Sequence, residues 1–167
     1  MHSSVASSRS LIASAGLIAS IVIAATAVAC GSDSTVTPKD PTFVATLNGA
    51  GEFPVNNLPG TGSATIVKSG NTYTYTITYA GMSGALTGGH IHGPAGPGAN
   101  ALVIVPFANA TGAPASGTLT GTFTSTNNVA ITNDSLDVLM RTGNAYVNLH
   151  TDLNKGGEIR GQLSQQQ

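Results

Sequence analysis

The stretch Asn71 to Ala80 reads NTYTYTITYA, in which Tyr73, Tyr75, Ile77 and Tyr79 alternate with Thr72, Thr74, Thr76 and Thr78. A strict period of two places one set on each face of a β-strand, whereas a helix would scatter both sets around its surface. A strand with one aromatic and one hydroxyl face buries the first and wets the second, and it needs neighbouring strands to do so. Phe43 to Leu47, Ser63 to Lys68, Ala101 to Phe107, Gly117 to Ser125, Ala145 to His150 and Glu158 to Leu163 read as those neighbours, separated by Gly, Pro and Asn turns. Ser69-Gly70-Asn71 suits a tight hairpin into the Tyr/Thr strand, and Asn154-Lys155-Gly156-Gly157 suits one between the last two strands. Only Asp134 to Arg141 has helical spacing, with Asn133 or Asp134 as N-cap, Leu136, Leu139 and Met140 on one face, and Gly143 as a stop. The pattern predicts an all-β fold: an antiparallel, Greek-key-like β-sandwich or barrel with one short helix near residues 134–141. Its core should hold the Tyr73, Tyr75, Ile77 and Tyr79 row with Phe43, Leu47, Ile66, Val147, Leu149, Ile159 and Leu163.

Upstream of that domain the chain changes character. Met1 to Ser10 carries one cation, Arg9, and Leu11 to Ala29 carries no charge and ends in small residues. That is the layout of an export signal, and it lacks the basic cluster that would stop transfer of a retained helix. Ala27-Val28-Ala29-Cys30-Gly31 resembles a bacterial lipobox, departing from it at Ala27, where a larger aliphatic residue is usual. The resemblance implies cleavage after residue 29, a diacylglycerol on Cys30, and anchoring at a membrane on the periplasmic side or the cell surface. Cys30 is the only cysteine, so no disulfide forms within the chain. Residues 30–41, polar and broken by prolines, read as a flexible tether, 42–163 as the domain, and 164–167 as a frayed tail. After cleavage five Lys and Arg face seven Asp and Glu, a net charge of −2. The five cations Lys39, Lys68, Arg141, Lys155 and Arg160 are scattered, which excludes a nucleic-acid surface.

The residues with chemistry to offer are histidines. His90, His92 and His150 are the three that survive cleavage, and they fall in Gly89-His90-Ile91-His92-Gly93 and Val147-Asn148-Leu149-His150-Thr151-Asp152. Histidines at i and i+2 on a strand share a face, and a third from a neighbouring strand completes a set that suits copper or zinc. The alternative is a row of polar side chains on the wet face of a sheet. Other chemistry is weaker: no Gly-x-Ser-x-Gly elbow occurs, and Gly93 to Gly98 lacks the lysine and following helix of a phosphate loop. Glu52, Asp152 and Glu158 read as turn caps and solubilising charges, with Glu158 and Arg160 an exposed pair worth less than about 1 kcal/mol.

Phe43-Val44-Ala45-Thr46-Leu47 with Gly51-Glu52, the Tyr-Thr-Tyr-Thr-Ile strand, Gly89 to Ala95, Ala145 to Thr151 and Gly156 to Leu163 together resemble a CHRD (chordin-type) domain. The resemblance spans nearly all of 42–163. It implies an all-β extracytoplasmic domain, of the kind found in animal chordins that sequester growth factors and in single-domain bacterial exported proteins. The His-Ile-His stretch is also similar in outline to copper-zinc superoxide dismutase, but that family's other ligands, bridging histidine and disulfide have no counterparts here. Two functions follow. One is a surface binding module for a protein or polymer partner, with His90, His92 and His150 as a patch able to take a copper or zinc ion. The other is a metal-dependent redox enzyme acting on reactive oxygen species. Because neutral imidazoles are the ligands, metal binding should weaken as pH falls through about 6.5.

Overall fold

In the computed structural model, residues 40–124, 126 and 131–167 are described. The export signal, Cys30, the tether as far as residue 39, and Ser125 lie outside them.

Nine strands form one sheet: β1 (Thr42–Asn48), β2 (Thr61–Ser69), β3 (Thr72–Ala80), β4 (Leu86–His92), β5 (Val103–Pro106), β6 (Gly117–Phe123), β7 (Tyr146–Thr151), β8 (Ile159–Gln162) and β9 (Ser164–Gln165). The order is β5-β4-β7-β8-β1-β2-β3-β6, with β9 on β1, and every pairing is antiparallel. The sheet curls into a nearly closed barrel, as the short alternating strands predict. Between its two end strands, the segment after β5 crosses to β3 and β4 through Tyr75 Oη to the Ala108 carbonyl and the Leu86 amide to the Ala113 carbonyl.

The Tyr/Thr strand behaves as its period requires. On β3 the tyrosines and Ile77 are buried and the threonines exposed. All eleven predicted core residues are buried in one cluster. Tyr73 stacks on Phe123 at 4.7 Å, and Tyr75 meets Phe107 at the same distance, so the aromatic row also ties β3 to β6 and to the segment after β5.

The one α-helix among the described residues, α1 (Asn133–Arg141), buries Leu136 and Met140. Its N-cap is Thr132, one residue before the expected Asn133, because the Thr132 hydroxyl accepts from the Ser135 amide. Asp137 holds it to the sheet through Lys68 and the Tyr73 hydroxyl. The tail differs from expectation. Ser164 and Gln165 pair with Val44 and Phe43, and the Gln166 amide donates to the Thr42 carbonyl. The exposed edge of β1 offers free backbone groups there, and the chain after β8 runs straight into them.

Candidate functional site

β4 and β7 are direct neighbours, with Gly88 opposite His150, His90 opposite Asn148, and His92 opposite Tyr146. Ile91, Val147 and Leu149 take the core side, so the three histidines emerge together on the other side. Ligand nitrogens of His90, His92 and His150 all lie within 4.8 Å of one another. His90 Nδ1 is 3.1 Å from His150 Nε2, and the His92 ring packs parallel to Tyr146 at 5.0 Å. Gly88 makes the close approach feasible: a Cβ there would meet His90 Cε1 at 3.0 Å.

This face is not wet. His92 and His150 are buried and His90 is partly covered. The roof is the loop between β4 and β5, which brings the Ala101 carbonyl to 3.0 Å from His92 Nδ1, and the turn after β7, which brings the Lys155 carbonyl to 3.0 Å from His150 Nδ1. A carbonyl only accepts, so both Nδ1 atoms carry the proton and both Nε2 atoms present a lone pair. His150 Nε2 takes the neighbouring His90 Nδ1–H, whereas His92 Nε2 is buried with no partner. Burial, and then the nearby His150 and His92, pushes the His90 imidazole down to about 4. Burial also lowers His92 and His150, so all three are neutral at neutral pH.

The region around the histidines holds buried groups that the sequence reading placed in solvent. Glu158 and Arg160 are not an exposed pair, since both are buried and neither bonds the other. The Arg160 guanidinium lies 3.5 Å from the Tyr146 ring centroid and donates to Gln162 Oε1, Asn100 Oδ1 and the Gly96 carbonyl. Glu158 accepts from the Ser83 amide and hydroxyl, Thr151 and Asn154. Burial acts to raise its carboxyl, but these four bonds outweigh it and hold the group below the usual range. Glu52, read as a turn cap, is buried over β7, where Asn148 Nδ2 reaches its Oε2 at 3.4 Å. Asp152, the carboxylate nearest to His150 in sequence, is exposed, and backbone carbonyls orient the imidazoles instead. One signal for this buried polar layer was legible. Tyr146, Asn148 and His150 alternate with Val147 and Leu149, and bulky side chains able to bond in several directions stand where an ordinary wet face would carry Thr or Lys.

Among the described residues no helix is long and apolar enough to cross a membrane. No curated protein and no solved structure matches the chain. The family model of the CHRD domain matches residues 43–163, from the first core residue of β1 to the last before β9, and takes in all three histidines. With that match over most of its length, the chain belongs to the CHRD domain family, a β-fold module of extracellular type.

Proposed function

We propose that this protein is an exported surface binding module, held at a membrane by a lipid on Cys30, whose three-histidine patch takes one copper or zinc ion. The observation that carries the metal reading is the convergence of three imidazoles, with His92 Nε2 buried and unpartnered among them. A buried acceptor left without a partner costs about 1–3 kcal/mol, which a metal ion would recover. Two of the rings already have the Nδ1–H tautomer that puts the lone pair on Nε2; that of His92 is free, and that of His150 needs only to give up the His90 Nδ1–H. A set of imidazoles without thiolate suits copper or zinc rather than magnesium or calcium. The anchor is supported by the sequence from Leu11 to Cys30 alone.

Calorimetric titration with copper and zinc salts, and metal analysis of the purified full chain, test the site. One ion per chain is expected for the wild type and none for the triple variant His90→Ala, His92→Ala, His150→Ala; identical titrations would remove the site. Membrane fractionation with mass spectrometry of Cys30 tests the anchor, and an unmodified cysteine on a soluble protein would overturn it. Superoxide and peroxide assays on the copper-loaded protein separate a holding site from the redox alternative.

A further inference from the structure

Two buried oxygens beside the histidines have no donor: Oε1 of Glu52 and Oδ1 of Asn148. They face one small space, since a Cβ on Gly157 would lie 2.6 Å from the first and 2.5 Å from the second. Gly157 has φ +135, a conformation that also keeps other residues out. Asn148 Nδ2 borders the same space but is spent on Glu52 Oε2, and two buried acceptors at one space are unfavourable unless a donor joins them.

The surrounding charged and titratable groups supply no such donor. Arg160, from β8, spends its bonds on Gln162, Asn100 and Gly96. His90 faces Asn148 from β4, but its Nδ1 is engaged with His150, which stands two residues along β7 and donates to Lys155. Glu158, next to Gly157, is itself an acceptor. A divalent cation would reach both oxygens, yet only one carboxylate faces the space and the Arg160 charge acts on it. A proton meets both needs without adding charge.

We propose that Glu52 is a protonated latch, its Oε1–H donating to Asn148 Oδ1 and so holding the β1–β2 loop to β7 above the histidine face. Loss of that proton to solvent leaves two buried acceptors unpaired, and the loop opens. Burial is the largest influence on this carboxyl and raises it to about 7, against the pull of Arg160 and the bonds from Asn148 and the Phe53 amide. The latch therefore works around neutral pH, and it stands whether or not the histidines take a metal.

Hydrogen exchange reads the loop directly, because the Gly51, Glu52, Asn56 and Leu58 amides are all bonded within it. Between about pH 5.5 and 8.5, protection factors corrected for intrinsic exchange should fall by about tenfold in the wild type. They should stay level in Glu52→Gln, whose Nε2 donates at every pH. Flat wild-type protection, or a parallel fall in the variant, overturns the latch. Carboxyl-labelled glutamate NMR of the wild type gives a second reading that needs no variant, since the chain has two glutamates, Glu52 and Glu158. One signal should titrate near neutrality; both titrating below about pH 5 overturns the proposal.

Discussion

The two ends of the sheet wear different outer faces over one shared core. On β3 and β6 the positions opposite the core are mostly threonines in water: Thr72, Thr74, Thr76 and Thr78 on one strand, Thr118, Thr120 and Thr122 on the next. On β4, β7 and β8 the corresponding positions carry His92, Tyr146, Asn148, His150 and Arg160, none more than 8% exposed. All seven buried polar side chains among the described residues belong to this second region or to the loops that flank it. A hydroxyl in water asks nothing of the protein, whereas a buried imidazole, guanidinium or carboxyl must be given partners. The loops over β4 and β7 give them, as the carbonyls of Gly96, Ala101 and Lys155 and the side-chain oxygen of Asn100. One end of the sheet is thus a plain outer wall, and the other is the floor of a second, polar interior.

The largest expected effect ignores the difference, because the apolar core runs under both regions. Ile77→Ala below the threonine wall and Leu149→Ala below the histidines should each cost about 2–5 kcal/mol in urea unfolding. A tolerant Leu149 site would mean that the polar roof, rather than the core, holds that end together.

The same substitution made in the buried polar cluster around Glu158 and on the wet face of β3 sharpens the contrast. Thr151→Val removes a donor at 2.5 Å from Glu158 Oε2 in a buried setting and should cost about 1–3 kcal/mol. Thr76→Val, exposed on β3, should change stability by no more than about 0.5 kcal/mol. Equal effects would show that the buried polar cluster and the wet threonine wall are not energetically distinct.

Acid gives the last contrast. His90 takes up a proton near 6.5 in the unfolded chain but only near 4 when folded, so the unfolded state gains protons first and stability falls as pH drops through that window. Discounted for partial exposure, His90 should contribute roughly 1 kcal/mol of this loss. Glu52 opposes it: its folded carboxyl holds a proton up to about 7 and its unfolded one to 4.5, so its contribution is complete below 4.5 and lost by 7. Between about pH 5 and 7 the urea midpoint of the triple histidine variant should therefore rise more steeply toward acid than that of the wild type, because the histidine contribution is gone and that of Glu52 remains. A variant curve parallel to that of the wild type would show that the histidines are not held neutral by the fold. The lowered imidazoles also move the expected weakening of metal binding from about 6.5 to more acid pH.

Much of the fold was legible because period and polarity are local properties. The Tyr73 to Tyr79 row, the helix near 134–141 and the face shared by His90 and His92 each follow from spacing within ten residues. The pairing of β4 with β7 was not, since 60 positions separate His90 from His150 and no local rule sets which strands meet. Glu158 and Arg160 misled for the same reason. Two charges at i and i+2 share a face of a strand, but whether water or a loop covers that face depends on where the chain between β4 and β5 folds back. The sequence by itself determined strands, turns, a buried aromatic row and three histidines with a common orientation, because alternation acts through backbone geometry one residue at a time. Only the tertiary structure decided that the histidines meet, that a roof of carbonyls sets the tautomers of His92 and His150, and that Glu52 Oε1 lies without a donor beside Asn148, because burial and proximity arise from contacts between segments far apart in the chain.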